Sequence, residues 1–153
     1  MSLGIDLAVV PNLVAYDAAE VDLVRRARPV ARPATPSDAR ELYDLDVIAE
    51  RQNLAQALIL RLLTPRGSLA KLGHAQYGSR LHELIGRRKT EALRNLCRVF
   101  VLDVVAQEPR VNDKAVLLTF DPAAETQTSF VFTLAVQPHD GGGPVGVSLE
   151  VSV

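Results

Sequence analysis

Between residues 42 and 48 the run LYDLDVI alternates apolar Tyr43, Leu45 and Val47 with Asp44 and Asp46, the period-two pattern of a half-buried strand. The spacing then changes to four. Leu54, Leu58 and Leu62 recur with Ala55, Ile59 and Leu63 beside them, so a helix is expected to about residue 63, with Gln56 and Arg61 off its apolar stripe. Asn53 stands where its N-cap should be, and Gln56, three residues on, can return the bond of a capping box. Thr64-Pro65-Arg66-Gly67 stops the helix as a turn. A short helix is expected over 79–85, between Gly78 and Gly86, and the longest over 90–107, burying Leu93, Leu96, Cys97, Phe100, Val104 and Val105. Pro109 ends it, because a proline disfavours helical geometry at the residue before it. Three strands follow at 110–120, 129–137 and 145–153, parted by DPAAETQ and PHDGGGP, an antiparallel meander. In the last, Val145, Val147, Leu149, Val151 and Val153 alternate with Gly146, Ser148, Glu150 and Ser152, so one face is buried. The pattern predicts an α+β fold, with helices packed on a small antiparallel sheet.

Residues 1–40 differ in composition and end in RRARPVARPATPSDAR, where prolines and charge favour an extended connector. They read as an N-terminal arm and linker ahead of a domain at 41–153, with a short strand expected over 7–10 and a short helix over 18–26. The opening MSLGIDLAVVPNLV has no basic start and is broken by Asp6 and Pro11, unlike a signal peptide. No stretch approaches the length of a transmembrane helix. A soluble, cytoplasmic protein is expected.

Charge and composition then narrow the chemistry. Seventeen basic and eighteen acidic residues leave a net charge of −1, which gives no field to draw nucleic acid or an anionic membrane. One cysteine and three histidines show no metal-ligand spacing, so neither metal nor cofactor is expected. Cys97, on the apolar stripe of the long helix, reads as a core residue and not as a nucleophile. Glu83 beside His82 reads as a solvated turn, and Gly141 to Gly143 lie between strands, not in the strand-to-helix setting of a phosphate loop. Arg87, Arg94 and Arg98 lack interleaved aromatics, so protein contact suits that face better than base stacking. No catalytic residue stands out.

Glu108-Pro109-Arg110 remains. Extended geometry would set Glu108 and Arg110 on one side of the backbone, an acceptor and a planar donor fork open to a partner. As a helix stop flanked by charges, the tripeptide is equally well explained by solvation alone.

Taken together, NLAQALILRLLTPRGSL, HAQYGSRLHELIG and QEPRV resemble the gene-25-like baseplate wedge, or sheath initiator, family of contractile injection systems. Relatives carry Q-x-L-x-x-R-L-x-T-x-x-G, a Y-G step and an E-P-R corner, matched here by Gln56, Leu58, Arg61, Leu62, Thr64, Gly67, Tyr77, Gly78, Glu108, Pro109 and Arg110. Relatives commonly have a proline two residues before Y-G; here Ala75 takes that position. The resemblance covers residues 42–120 best, extends to the carboxyl end and leaves the arm before residue 40 outside.

It implies a structural, non-enzymatic part of a phage tail, type VI system or extracellular particle, assembled in the cytoplasm in several copies around a six-fold baseplate. Glu108, Pro109 and Arg110 would bind the wedge proteins' helical core bundle. The strand carrying Val145, Val147, Leu149, Val151 and Val153 would pair with the sheath protein, with tube or spike-hub proteins as further partners. Some relatives carry a lysozyme-like label, which leaves peptidoglycan cleavage by a carboxylate pair as the alternative.

Overall fold

A computed structural model describes residues 3–9, 25–28 and 42–153. Its centre is the meander. Strands β5 (Val111–Phe120), β6 (Ser129–Pro138) and β7 (Val145–Ser152) pair antiparallel in that order, with Phe132 opposite both Phe120 and Leu149 and a register shift between Asn112 and Val116. Alternation decides the buried face. Phe130, Phe132, Leu134 and Val136 of β6 and Val145, Val147 and Leu149 of β7 point into the core, while Gly146, Ser148, Glu150 and Ser152 are exposed. Phe120 meets Phe130 edge to face at 6.0 Å between centroids, an arrangement that suits the ring quadrupoles.

Two helices cover that face. Helix α1 (Glu50–Leu63) brings Leu54, Leu58, Ile59 and Leu62, and α2 (Glu91–Ala106) brings Leu93, Cys97, Phe100, Val101, Val104 and Val105. The Thr90 hydroxyl caps α2 by accepting from the Leu93 N–H at 3.2 Å, satisfying one of the donors a helix start leaves unpaired. The helix expected over 79–85 is a single 3-10 turn, Leu81–Leu84, with Leu81 and Leu84 buried. The α+β architecture follows the sequence pattern. Leu96 packs only at the core's rim, and Val101 takes a buried position that the pattern had not assigned.

Ahead of α1 the structure departs from expectation. The run at 42–48 is not one core strand: Asp46 divides it into β3 (Leu42–Leu45) and β4 (Val47–Ala49), and Leu45 and Val47 are exposed. Each pairs with the amino-terminal region, β4 with β1 (Ile5–Leu7) and β3 with β2 (Arg25–Arg28). The described parts of the arm are thus extended and paired. The strand expected at 7–10 lies at Ile5–Leu7 instead, and Arg25 and Arg26, placed in a helix by the sequence reading, belong to β2. The rest of that predicted helix, at 18–24, lies outside the described residues.

Helix α1 also begins earlier than its apparent capping box. Ala49 is the cap, without a side-chain bond, and Asn53 and Gln56 are both buried within the helix. Their amides are turned to the amino-terminal strand, because a buried amide must find partners and residues 3–9 supply them.

Phe132 is sealed on both sides by this packing. Phe132→Ala is expected to lower unfolding free energy by about 3 to 5 kcal/mol, read as a drop in the urea midpoint at unchanged slope. Thr133→Ala, on the exposed face of the same strand, should shift it by less than about 1 kcal/mol.

Candidate functional site

The corner that ends α2 is built inward. After Gln107 the chain turns, with the Val111 N–H donating to the Glu108 carbonyl at 3.1 Å, and the Glu108 side chain enters the protein with 4% of the residue exposed. Arg110 grips it as a fork, Nε donating to Oε1 at 2.6 Å and Nη2 to Oε2 at 3.2 Å. Arg61 of α1 approaches from the other side, Nη2 lying 3.6 Å from Oε2, and its Nη1 donates to the Gln107 carbonyl at 3.3 Å. Burial alone would raise the Glu108 carboxyl, but Arg110 and then Arg61 outweigh it and hold it below the usual range. The open docking fork expected here is therefore closed on itself. Only Pro109 of the three stands exposed.

The other motif positions meet around that corner. The Arg61 guanidinium lies 4.7 Å from the centre of the Tyr77 ring, a cation–π contact, and burial raises the Tyr77 hydroxyl's pKa against the opposing pull of Arg61. Thr64 closes α1, its hydroxyl donating to the Leu60 carbonyl at 2.7 Å. Residues 64–66 then run beside Ser79: Ser79 N–H donates to Thr64 O and Arg66 N–H to Ser79 O, each at 2.8 Å. Gly78 makes this crossing possible, since at φ 104° any Cβ would strike the Thr64 carbonyl. Gly67 turns the loop at φ 87°. Arg66 pairs with Asp103 of α2, and the Ser79 hydroxyl donates to Leu62 O at 2.5 Å. Neither residue was singled out from sequence, and neither had a pattern to mark it.

Gln56 serves a different purpose. Its Nε2 donates to Leu7 O and its Oε1 accepts from Val9 N–H, both at 2.8 Å, so its amide pairs with the strand as a neighbouring backbone would. Asn53 Nδ2 donates to Leu3 O at 3.0 Å and Arg110 Nη1 to the same oxygen at 2.9 Å. Glu50 accepts from Leu3 N–H at 3.1 Å. Leu3 and Ala8 are buried below this clamp.

A second feature lies at the carboxyl end. The Val153 N–H donates to Thr128 O at 2.8 Å, and with the unbroken pairing of β6 and β7 this fixes which groups face which way. Residues 145, 147, 149 and 151 turn their backbone groups to β6, so Gly146, Ser148, Glu150 and Ser152 turn theirs to the outer side. Among the described residues no strand occupies that side. A groove of about 210 Å³ lies along its end, lined mainly by Leu62, Leu63, Pro65, Leu81, Ile85 and Val151, with Ser79, His82, Glu150 and Ser152 as its polar lining.

Elsewhere ionisable groups tie elements together. Glu125, its side chain 2% exposed, takes Arg94 in a fork at 2.5 and 2.9 Å and Lys89 at 2.8 Å, which anchors the loop between β5 and β6 to the start of α2. Arg94 chiefly, with Lys89, overcomes burial and holds this carboxyl at about 2. Cys97 is buried and its thiol pushed up to about 12 by desolvation, the inert behaviour its place on the helix implied. Glu83 is bonded to Arg80 at the surface. Among the described residues no three histidine, cysteine or acidic side chains cluster to hold a metal ion, and no helix is long and apolar enough to cross a membrane.

Comparison of the chain with protein-family models, with curated proteins and with solved structures finds no match.

The two buried carboxylates contribute to the acid response. Both are depressed in the folded protein, so below the ordinary glutamate value of about 4.3 the unfolded chain takes up protons that the folded chain does not, and stability falls with pH. Stability should hold above about pH 5 and decline toward pH 2, as the folded carboxylates are themselves protonated. Denaturant midpoints at a series of pH values check this, and Glu125→Gln should flatten part of the decline while lowering stability at pH 7.

Proposed function

We propose that this chain is a structural component of the baseplate of a contractile injection system, one that starts sheath polymerisation by lending the edge of β7 to a strand of the first sheath ring. The observation that carries the reading is this edge. Four consecutive outward-facing residues of β7, Gly146, Ser148, Glu150 and Ser152, offer backbone donors and acceptors, and such a row templates an added strand. The adjoining groove suits an apolar side chain on the added strand's inner face. The resemblance around Gln56, Arg61, Thr64, Gly67, Tyr77, Gly78 and Glu108 to Arg110 gains a physical reason, since those residues build the support of the corner and of α1.

In this reading Pro109, exposed at the tip, and Arg110 beside it face the wedge proteins. Glu108 holds Arg110 in place and does not itself reach a partner. Assembly occurs in the cytoplasm, in several copies around a six-fold baseplate, with tube or spike-hub proteins as neighbours. A glycosidase's general acid needs a raised pKa, so Glu108 and Glu125, both displaced downward, do not suit that role.

Proline is the discriminating probe, because it removes one backbone donor. At Ser148 that donor faces outward, so Ser148→Pro should cost little stability, as proline is tolerated on strand edges. It should abolish co-purification with sheath protein and leave no ordered sheaths in electron micrographs, while Ser148→Ala assembles normally. Full sheaths from the folded proline variant would remove strand pairing at this edge.

The corner is tested separately. Glu108→Ala leaves Arg110 and Arg61 without their shared counter-charge and should cost about 3 to 5 kcal/mol, seen in thermal unfolding. Pro109→Ala should leave stability within about 1 kcal/mol and weaken co-purification with the wedge proteins. Unchanged wedge binding by Pro109→Ala would count against the tip as the contact.

A further inference from the structure

Residues 3–9 are held chiefly through their main chain. Glu50, Asn53, Gln56 and Arg110 bond to Leu3 N, Leu3 O, Leu7 O and Val9 N. Backbone bonds add to these: β1 pairs with β4, and the ladder is continued by Ala8 N–H to Asp46 O and Glu50 N–H to Gly4 O, each at 2.9 Å. The segment itself contributes two fully buried side chains, Leu3 and Ala8, with Val9 partly buried against the core, while Ile5, Asp6 and Leu7 are exposed.

A site that bonds to backbone and buries two side chains accepts any extended peptide carrying those two anchors. Its selectivity is legible: an aliphatic residue where Leu3 sits, a small residue five positions later where Ala8 sits, and glycine directly after the first anchor. Gly4 has φ 84°, and a Cβ there would lie 3.1 Å from Asn53 Nδ2, tighter than side chains ordinarily allow.

Two features separate this segment from a permanent strand. With few buried apolar contacts it belongs to the low-stability end of the molecule. Glu50, which holds the segment by carboxylate and by N–H, has φ 51°, a left-handed conformation that persists for a non-glycine residue only while its surroundings enforce it. Release of residues 3–9 removes two of the bonds that enforce it.

We propose that Glu50, Asn53, Gln56 and Arg110 form a strand-binding site which residues 3–9 fill as an exchangeable plug, and which takes in their place an extended segment of a neighbouring protein with the same pair of anchors. The inference deepens the corner's proposed role and rests on that reading for the identity of the neighbour, a wedge protein. Arg110 links the two. Its Nε and Nη2 stay on Glu108, and Nη1, now on Leu3 O, becomes the group that receives the incoming carbonyl. The plug keeps the corner closed until such a segment arrives.

The test uses the full chain carrying Leu3→Asp, in which the first anchor is spoiled, and a synthetic peptide of residues 1–10 with the natural sequence. The variant should bind the peptide saturably, at least about ten-fold more tightly than the natural chain, whose site is already filled. Gly4→Val in the peptide, or Gln56→Ala added to the variant, should abolish binding. Equal binding by natural chain and variant, or none by either, overturns the proposal. Hydrogen exchange gives an independent reading on the variant alone: the amides of Ala8, Val9 and Glu50 should exchange at least about ten-fold faster while those of Phe132 and Leu149 keep their rates, and uniform acceleration overturns it. A variant that binds the peptide as expected but no wedge protein keeps the strand site and overturns only the corner's assignment to the wedge.

Discussion

A carboxylate withdrawn from water between two guanidiniums holds this structure together at the place where its parts converge. Glu108 lies between Arg61 of α1 and Arg110 at the entry to β5. Arg61 also reaches the carbonyl that ends α2 and lies over Tyr77, and Arg110 reaches Leu3. Five parts of the chain are thereby fixed relative to one charge. Desolvating three charges is costly, and an apolar cluster of equal volume often gives as much stability. What the ionic node adds is direction: a fork on a carboxylate admits one geometry, so the exit of α2, the start of the sheet and the course of residue 3 are set together.

The sheet and the two helices were readable because they obey period. Alternation along β6 and β7 and the four-residue recurrences of α1 and α2 each report a buried face, and the ends at Thr90 and Pro109 carry their own local chemistry. The start of α1 and the run just before it were misread. Asn53 and Gln56 have the sequence of a capping box, but a cap is worth about 1 kcal/mol, and a partner 47 to 50 residues away outranked it. Likewise LYDLDVI alternates properly, yet alternation cannot say whether the apolar side meets a core, and Leu45 and Val47 do not.

Glu108 and Arg110 show a second limit of sequence. Their spacing suggested an extended corner with both side chains open to a partner; the structure makes a turn there instead, with Val111 N–H on Glu108 O, and the side chains close on each other and on Arg61, 47 positions upstream of Glu108. Glu125 was missed for the same reason, lying in a breaker-rich loop that resembles solvent-facing chain until Arg94 and Lys89 are brought to it. Long-range ion pairs leave no periodic trace.

The geometry of β7 has a consequence for the register of any strand added to it. Residues that pack the core and residues that present free backbone alternate along the strand, so substitution in one set leaves the other's chemistry unaltered. A bare row of backbone groups, however, repeats every two residues and would accept an added strand at several offsets. The groove at residues 150–152 lies at one end of that edge, so it breaks the translational symmetry of the row. In the assembly proposed above, such an index mark would set at the first ring the phase that later rings inherit.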